Sequence, residues 1–156
     1  MRPTSYIKKW PAKHLSELVA FLEKQHDDNL SIRDVANRTG MTIQYISFLF
    51  RKDDMKLSRA ENIAKAYGYT LKLYFPQKEW KYEGPNRREF PNAKNLSGLV
   101  QYMNDSNKTV NSLSQELRIS NGVLTKAFNN GDIFISMLYT VVEMLNIEFI
   151  WSFEKN

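Results

Sequence analysis

Cysteine is absent from the chain. That excludes disulfides and thiolate metal sites, and it fits a reducing cytoplasm. Histidine is scarce: only His14 and His26 occur, both at the edges of one amphipathic stretch, where solvated side chains are expected. There is no H-E-x-x-H, no P-loop, no G-x-G-x-x-G after a strand and no nucleophile elbow, so neither catalysis nor a cofactor is expected. Asp27–Asp28 and Asp53–Asp54 read as turn residues, and their spacing fits no EF-hand. No apolar run approaches the roughly 20 residues that a membrane span needs. The opening MRPTSYIKKWPAK lacks the apolar core of a secretory leader, so none is expected. A mean hydropathy of −0.50 belongs with soluble globular proteins and not with a membrane partner.

What is present is positive charge, unevenly placed. The 156 residues carry a net charge of +5, and the length fits one domain or two small ones. Residues 1–75 hold 13 Lys/Arg against 8 Asp/Glu, residues 76–95 hold 5 against 3, and residues 96–156 hold 4 against 6. If phosphate contact drives binding to a polyanion, the first half supplies most of it.

The chain is organised around Ser31–Lys52, SIRDVANRTGMTIQYISFLFRK. Ser31 with Asp34 has capping-box spacing and opens a helix. Val35 and Ala36 face inward, and small Ala36 lets a second helix cross closely. Gly40 ends the first helix at positive φ, and Met41 plugs the corner. Thr42 caps the next helix, whose Ile46, Leu49 and Phe50 fall on one face. Gln44, Ser47 and Arg51 are left on the other.

This stretch resembles the helix-turn-helix of the lambda-repressor and Cro-like (XRE) family, on the small Ala36, the turn Gly40 and apolar Met41, Ile46 and Leu49. The resemblance implies a second helix that lies in the DNA major groove. An ordinary helical hairpin is the plainer alternative.

Around this motif the chain reads in order. Met1–Lys13 is a basic segment with Trp10–Pro11, in which Trp10 is expected to pack on the first helix and the lysines are open to a DNA backbone. A helix over His14–Gln25 carries the stripe Leu15, Leu18, Val19, Leu22. Asp53–Asp54 turns the chain. Ser58 and Glu61 are spaced as a capping box for a helix that Gly68 stops. Tyr69–Phe75 alternates as a strand. Residues 76–95 form a charged linker, expected to pack through Trp80, Tyr82 and Phe90.

The remainder repeats the first half. Leu96, Leu99, Val100 and Met103 renew the helix-one stripe. At one constant offset Val35 recurs as Leu113, Ile46 as Leu124, Phe50 as Phe128, Ser58 as Ser136 and Phe75 as Phe153. Asn146 takes the place of Gly68, and Ile147–Phe153 repeats the strand with Phe149, Trp151 and Phe153 on one face. Two copies that each end in an unpaired strand suggest that the strands pair antiparallel about an internal pseudo-twofold axis. The arrangement is similar to the strand-closed dimers of persistence-type antitoxin repressors. The expected architecture is mainly α: a helix-turn-helix domain over 1–75, a linker over 76–95, and a second, degenerate copy over 96–156, together an internal pseudo-dimer.

Carried over by position, the resemblance implies DNA contacts from Thr42, Ile43, Gln44, Ser47, Phe48, Arg51 and Lys52, with Lys56 beyond them. Gln44 suits adenine, and Arg51 suits guanine or phosphate. Phe48, beside Tyr45, reads more as half-buried packing than as a thymine contact. The second copy offers Ser120, Asn121, Thr125, Lys126 and Asn129. It departs from the pattern, because Arg118 replaces the turn glycine and Gly122 weakens its helix by about 1 kcal/mol. The implied function is a transcriptional regulator, most simply a repressor, bound to double-stranded DNA with helices about 34 Å apart on an imperfect palindrome. The rival is a protein-binding module that presents Phe134, Met137 and Tyr139 to a toxin or another regulator; contact with the other copy is the plainer fate of these three.

Overall fold

A computed structural model describes residues 12–26 and 31–156. The expectations for Trp10, the basic arm before residue 12 and Asp27–Asp28 lie outside the described residues. The described chain is mainly helical with one two-stranded antiparallel sheet. In order come α1 (Ser16–His26), α2 (Ile32–Thr39), α3 (Ile43–Lys52), α4 (Leu57–Ala66) and β1 (Tyr69–Tyr74). After a 3-10 turn at Lys94–Leu96 follow α5 (Ser97–Asp105), α6 (Val110–Leu117), α7 (Asn121–Asn130), α8 (Ile135–Met144) and β2 (Ile150–Lys155). None of the described helices is long and apolar enough to cross a membrane.

The contacts divide the chain into two units. The first is Met1–Leu71 with Phe134–Ser136 and Phe153–Asn156; the second is Lys72–Ile133 with Met137–Ser152. The first therefore takes in two short segments from far along the sequence.

In the first unit, the helix-one stripe is buried: Leu15, Leu18 and Leu22 are fully enclosed. Against them lie Val35 and Ala36 of α2, Ile46, Leu49 and Phe50 of α3, and Ile63 and Ala64 of α4. Each of these side chains larger than alanine gains about 1.5–3 kcal/mol on leaving water. α1 starts later than its apolar stripe, because Lys13, His14 and Leu15 form a turn. Their amides donate to the Asp53 carboxylate at 2.9–3.1 Å. Asp53 itself closes α3 at φ 60. One residue thus ends one helix and holds the start of another.

Two expected caps are built otherwise. Ser31 caps α2 by accepting from the Arg33 amide, but Asp34 does not close a box with it. The Asp34 carboxylate instead accepts from Tyr67 Oη at 2.8 Å and from Arg38 Nε at 3.0 Å, and lies 2.9 Å from His26 Nε2. Burial would raise its pKa. The two hydrogen bonds and the neighbouring His26 and Arg38 charges outweigh burial and hold it below its usual value. Burial, together with the same contact, pushes the Tyr67 phenol far up. α4 begins one residue before Ser58, with Lys56 at its cap and no side-chain cap bond. There the chain leaves Asp53–Asp54 and meets Phe134–Ser136. Lys56 bridges Phe134, the Ile135 amide donates to Met55 O at 2.9 Å, and Asp54 accepts from the Ser136 amide and hydroxyl at 2.9 and 2.6 Å.

β1 alternates as expected, with Leu71 and Leu73 buried. β2 is shifted from the expected 147–153 to Ile150–Lys155. Asn146 turns at φ 55 and the Ile147 amide still returns to Val142 O, so the first residues after α8 belong to its C-terminus. Phe149 then stacks on Phe75 at 5.3 Å ahead of the ladder. At the far end the Asn156 amide donates to Gly68 O at 3.0 Å, and Phe153 stacks on Phe21 at 4.1 Å. Ile150 is 66% exposed while Trp151 is buried, the alternation of a one-faced sheet.

In the second unit, Leu96, Leu99, Leu113, Leu124, Phe128 and Leu138 form the core. The stretch expected as a linker packs through Phe90, which is buried 5.5 Å from the Phe128 ring. Buried Asn104 bonds both the amide and the carbonyl of Arg88. Trp80 does not pack as expected and stands 71% exposed. Gly131, in the place of Asp53, turns at φ 67, and a Cβ there would meet the Asn92 and Ala93 carbonyls at 2.7–2.8 Å. Glycine lets that chain pass.

Candidate nucleic-acid interface

The α2–α3 corner is made by three local choices. Gly40 turns at φ 73, and its amide returns to Ala36 O. Met41, half-buried, donates to the same carbonyl at 3.2 Å. Thr42 is extended, and its hydroxyl accepts from the Tyr45 amide, which caps α3. With Ile46, Leu49 and Phe50 turned inward, the remaining face of α3 is set. Thr42, Gln44, Arg51 and Lys52 are exposed, while Ile43 and Ser47 are half-buried. The structure brings these candidates onto one helix that contains no acidic residue.

Phe48 departs from the packing reading. It is 47% exposed, and its neighbour Tyr45 is 39% exposed. Nothing buries the ring because α3 spends its inward positions on Ile46, Leu49 and Phe50. Cations accompany the rings instead. Lys52 Nζ lies 5.4 Å from the ring centroids of both Phe48 and Phe134, Lys56 Nζ lies 5.7 Å from Phe134, and Arg59 lies 5.4 Å from Tyr45. Around them is a hollow of about 290 Å³, lined also by Leu49, Met55 and Ser58, with no carboxylate in its lining among the described residues.

Sequence reasoning did not find Arg59 and did not place Phe134 here. Phe134 is remote along the chain, and only the bridge to Lys56 brings it to α3. Of its two companions in the apolar-surface reading, Met137 and Tyr139 are half-buried in the second unit. Tyr139 Oη accepts from Trp151 Nε1 at 3.0 Å there.

The corresponding corner of the second unit is formed without glycine, since Arg118 itself takes φ 58. Ser120 caps α7 by its backbone alone. Ser120, Asn121, Lys126 and Asn129 are exposed and Thr125 is half-buried. Asn121 is already engaged: its amide donates to Asn111 Oδ1 at 3.3 Å and its oxygen accepts from Thr125 Oγ1 at 2.9 Å. Asn121, the residue of this copy suited to adenine, thus has its side chain held by its neighbours. Among the described residues no group of three His, Cys, Asp or Glu is placed to hold a metal ion.

Set against family models, curated proteins and solved structures, the chain matches none.

Proposed function

We propose that α2 and α3 form a helix-turn-helix that reads double-stranded DNA in the major groove. On this reading the chain is a transcriptional regulator, most simply a repressor, built of tandem lambda-repressor-like units. The observation that carries the proposal is the outward face of α3. Gln44, Arg51 and Lys52 are exposed together on a helix free of carboxylates, with Lys56 and Arg59 beside it. The major groove admits a helix of this kind. Gln44 pairs with adenine, Arg51 with guanine or phosphate, and Lys52 and Lys56 take phosphates.

The second unit supports a lesser role. Asn121 is held by Asn111 and Thr125, and Gly122 lowers the helix propensity of α7. α7 then adds little affinity.

Fluorescence anisotropy with duplex DNA from upstream of the chain's own reading frame, at several salt concentrations, tests the proposal. A reader loses affinity steeply with salt, and Lys56→Gln lowers the salt slope by about one. Exposed Tyr45, Phe48 and Phe134 favour a second reading, a module for a protein partner such as a toxin or another regulator. Absence of duplex binding at low salt would select it.

A further inference from the structure

The hollow beside α3 has a chemistry that base-edge and phosphate contacts by a helix do not call for. Three rings, Tyr45, Phe48 and Phe134, stand exposed around buried Leu49 and Met55. Three cations, Lys52, Lys56 and Arg59, sit over those rings. Among the described residues, none of the three is in an ion pair. At 5.4–5.7 Å a ring face lies near the outer reach of cation–π attraction, about 6 Å, so it balances little of their charge. α4 opens on the same rim with no side-chain cap, and its first peptide dipoles add to the positive field. A concavity of about 290 Å³ with apolar walls and a few charged groups lies at the small end of ligand sites.

We propose that this hollow binds a nucleoside monophosphate, with the phosphate among Lys52, Lys56 and Arg59 and the base against Phe48 and Phe134. A phosphate carries a charge of about −1.5 to −2 at neutral pH, which suits three cations better than a carboxylate does. The base supplies a planar apolar body for the rings, and stacking of this kind is tolerant of base identity. Among the described residues no amide or carboxylate side chain lines the hollow, so purine and pyrimidine nucleotides both bind. The same group occurs free and at the 5′ end of a nucleic-acid strand. Because Lys52 and Lys56 also belong to the face proposed to read duplex DNA, occupancy competes with the duplex; that consequence alone rests on the DNA reading.

Isothermal titration calorimetry of the full chain at low ionic strength, without duplex, tests the site. The probes are adenosine 5′-monophosphate, uridine 5′-monophosphate, adenosine, inorganic phosphate and a 5′-phosphorylated tetranucleotide. Both mononucleotides should bind roughly tenfold or more tightly than phosphate alone, the factor expected for one stacked base, and roughly tenfold or more tightly than adenosine, through the charge-assisted phosphate contacts. Phe48→Ala and Lys52→Gln/Arg59→Gln should each remove about that advantage. These side chains are exposed or on the rim, and circular dichroism checks that both variants fold. Tighter binding of the free nucleotides or of the tetranucleotide names the source. Affinity for phosphate equal to that for the nucleotides, affinity for adenosine equal to it, no nucleotide binding, or binding unmoved by both variants overturns the proposal. None of these outcomes depends on whether the protein binds a duplex.

Discussion

Asp53→Ala should destabilise the first unit more than any other surface substitution at a turn. The wild-type carboxylate accepts amide bonds from Lys13, His14 and Leu15 at 2.9–3.1 Å, so from the end of α3 it caps the turn that leads into α1. Loss of a side-chain cap costs about 1–2 kcal/mol. Asp53 also occupies φ 60, where alanine costs about 1 kcal/mol more than aspartate. The sum is about 2–3 kcal/mol. Asp53→Gly separates the two contributions, because it loses the cap but relieves the backbone, for a net loss of about 1 kcal/mol. Urea denaturation followed by far-UV circular dichroism reads both, and hydrogen exchange of the α1 amides localises the effect. In a unit of this size each kcal/mol shifts the thermal midpoint by about 4–8 °C. Stability of Asp53→Ala within about 0.5 kcal/mol of wild type, the range of an inert surface change, would refute the capping argument. Equal losses in the alanine and glycine variants would refute the backbone part.

Three other outcomes follow from the same reasoning. Gln44→Ala/Arg51→Ala should weaken specific duplex binding by tenfold or more, since a bidentate base contact is worth about 1–3 kcal/mol; Asn121→Ala/Lys126→Ala should do much less, and anisotropy compares them. Tyr67→Phe should cost about 1 kcal/mol in denaturation. Because the folded-state pKa of Asp34 is depressed, its contribution is present above its usual value of 3.8 and is lost as pH falls through the lowered one. Acid titrations should therefore show a smaller stability loss below about pH 4 in the Phe variant. Arg118→Gly relieves an arginine held at φ 58 and should raise stability by about 0.5–1 kcal/mol, read as a higher melting temperature.

Much of the local structure was legible because it follows from short-range rules. The period of Leu15, Leu18, Val19 and Leu22, the turn at Gly40, the Thr42 cap and the inward set Ile46, Leu49 and Phe50 all depend on neighbours within a turn or two. The exposed candidates Gln44, Arg51 and Lys52 came with them, since the outer face of a helix is what its buried face leaves over. The shifted start of β2 was not legible. Its register is set by Phe149 on Phe75 and by Asn156 on Gly68, and alternation along one strand carries no information about the partner. Asp34 has the spacing of a capping box, yet Tyr67, 33 residues on, draws its carboxylate away.

Sequence alone thus determined the mainly helical class, the repeated apolar pattern and the polar face of α3, because periodicity and capping are properties of contiguous residues. Tertiary structure decided the rest. It sent Asp53 to cap α1, engaged Asn121 with Asn111, and brought Phe134 to Lys52 and Lys56 to make an acid-free hollow. These are encounters between residues on different elements, and only the packing of helices against one another selects which of them meet.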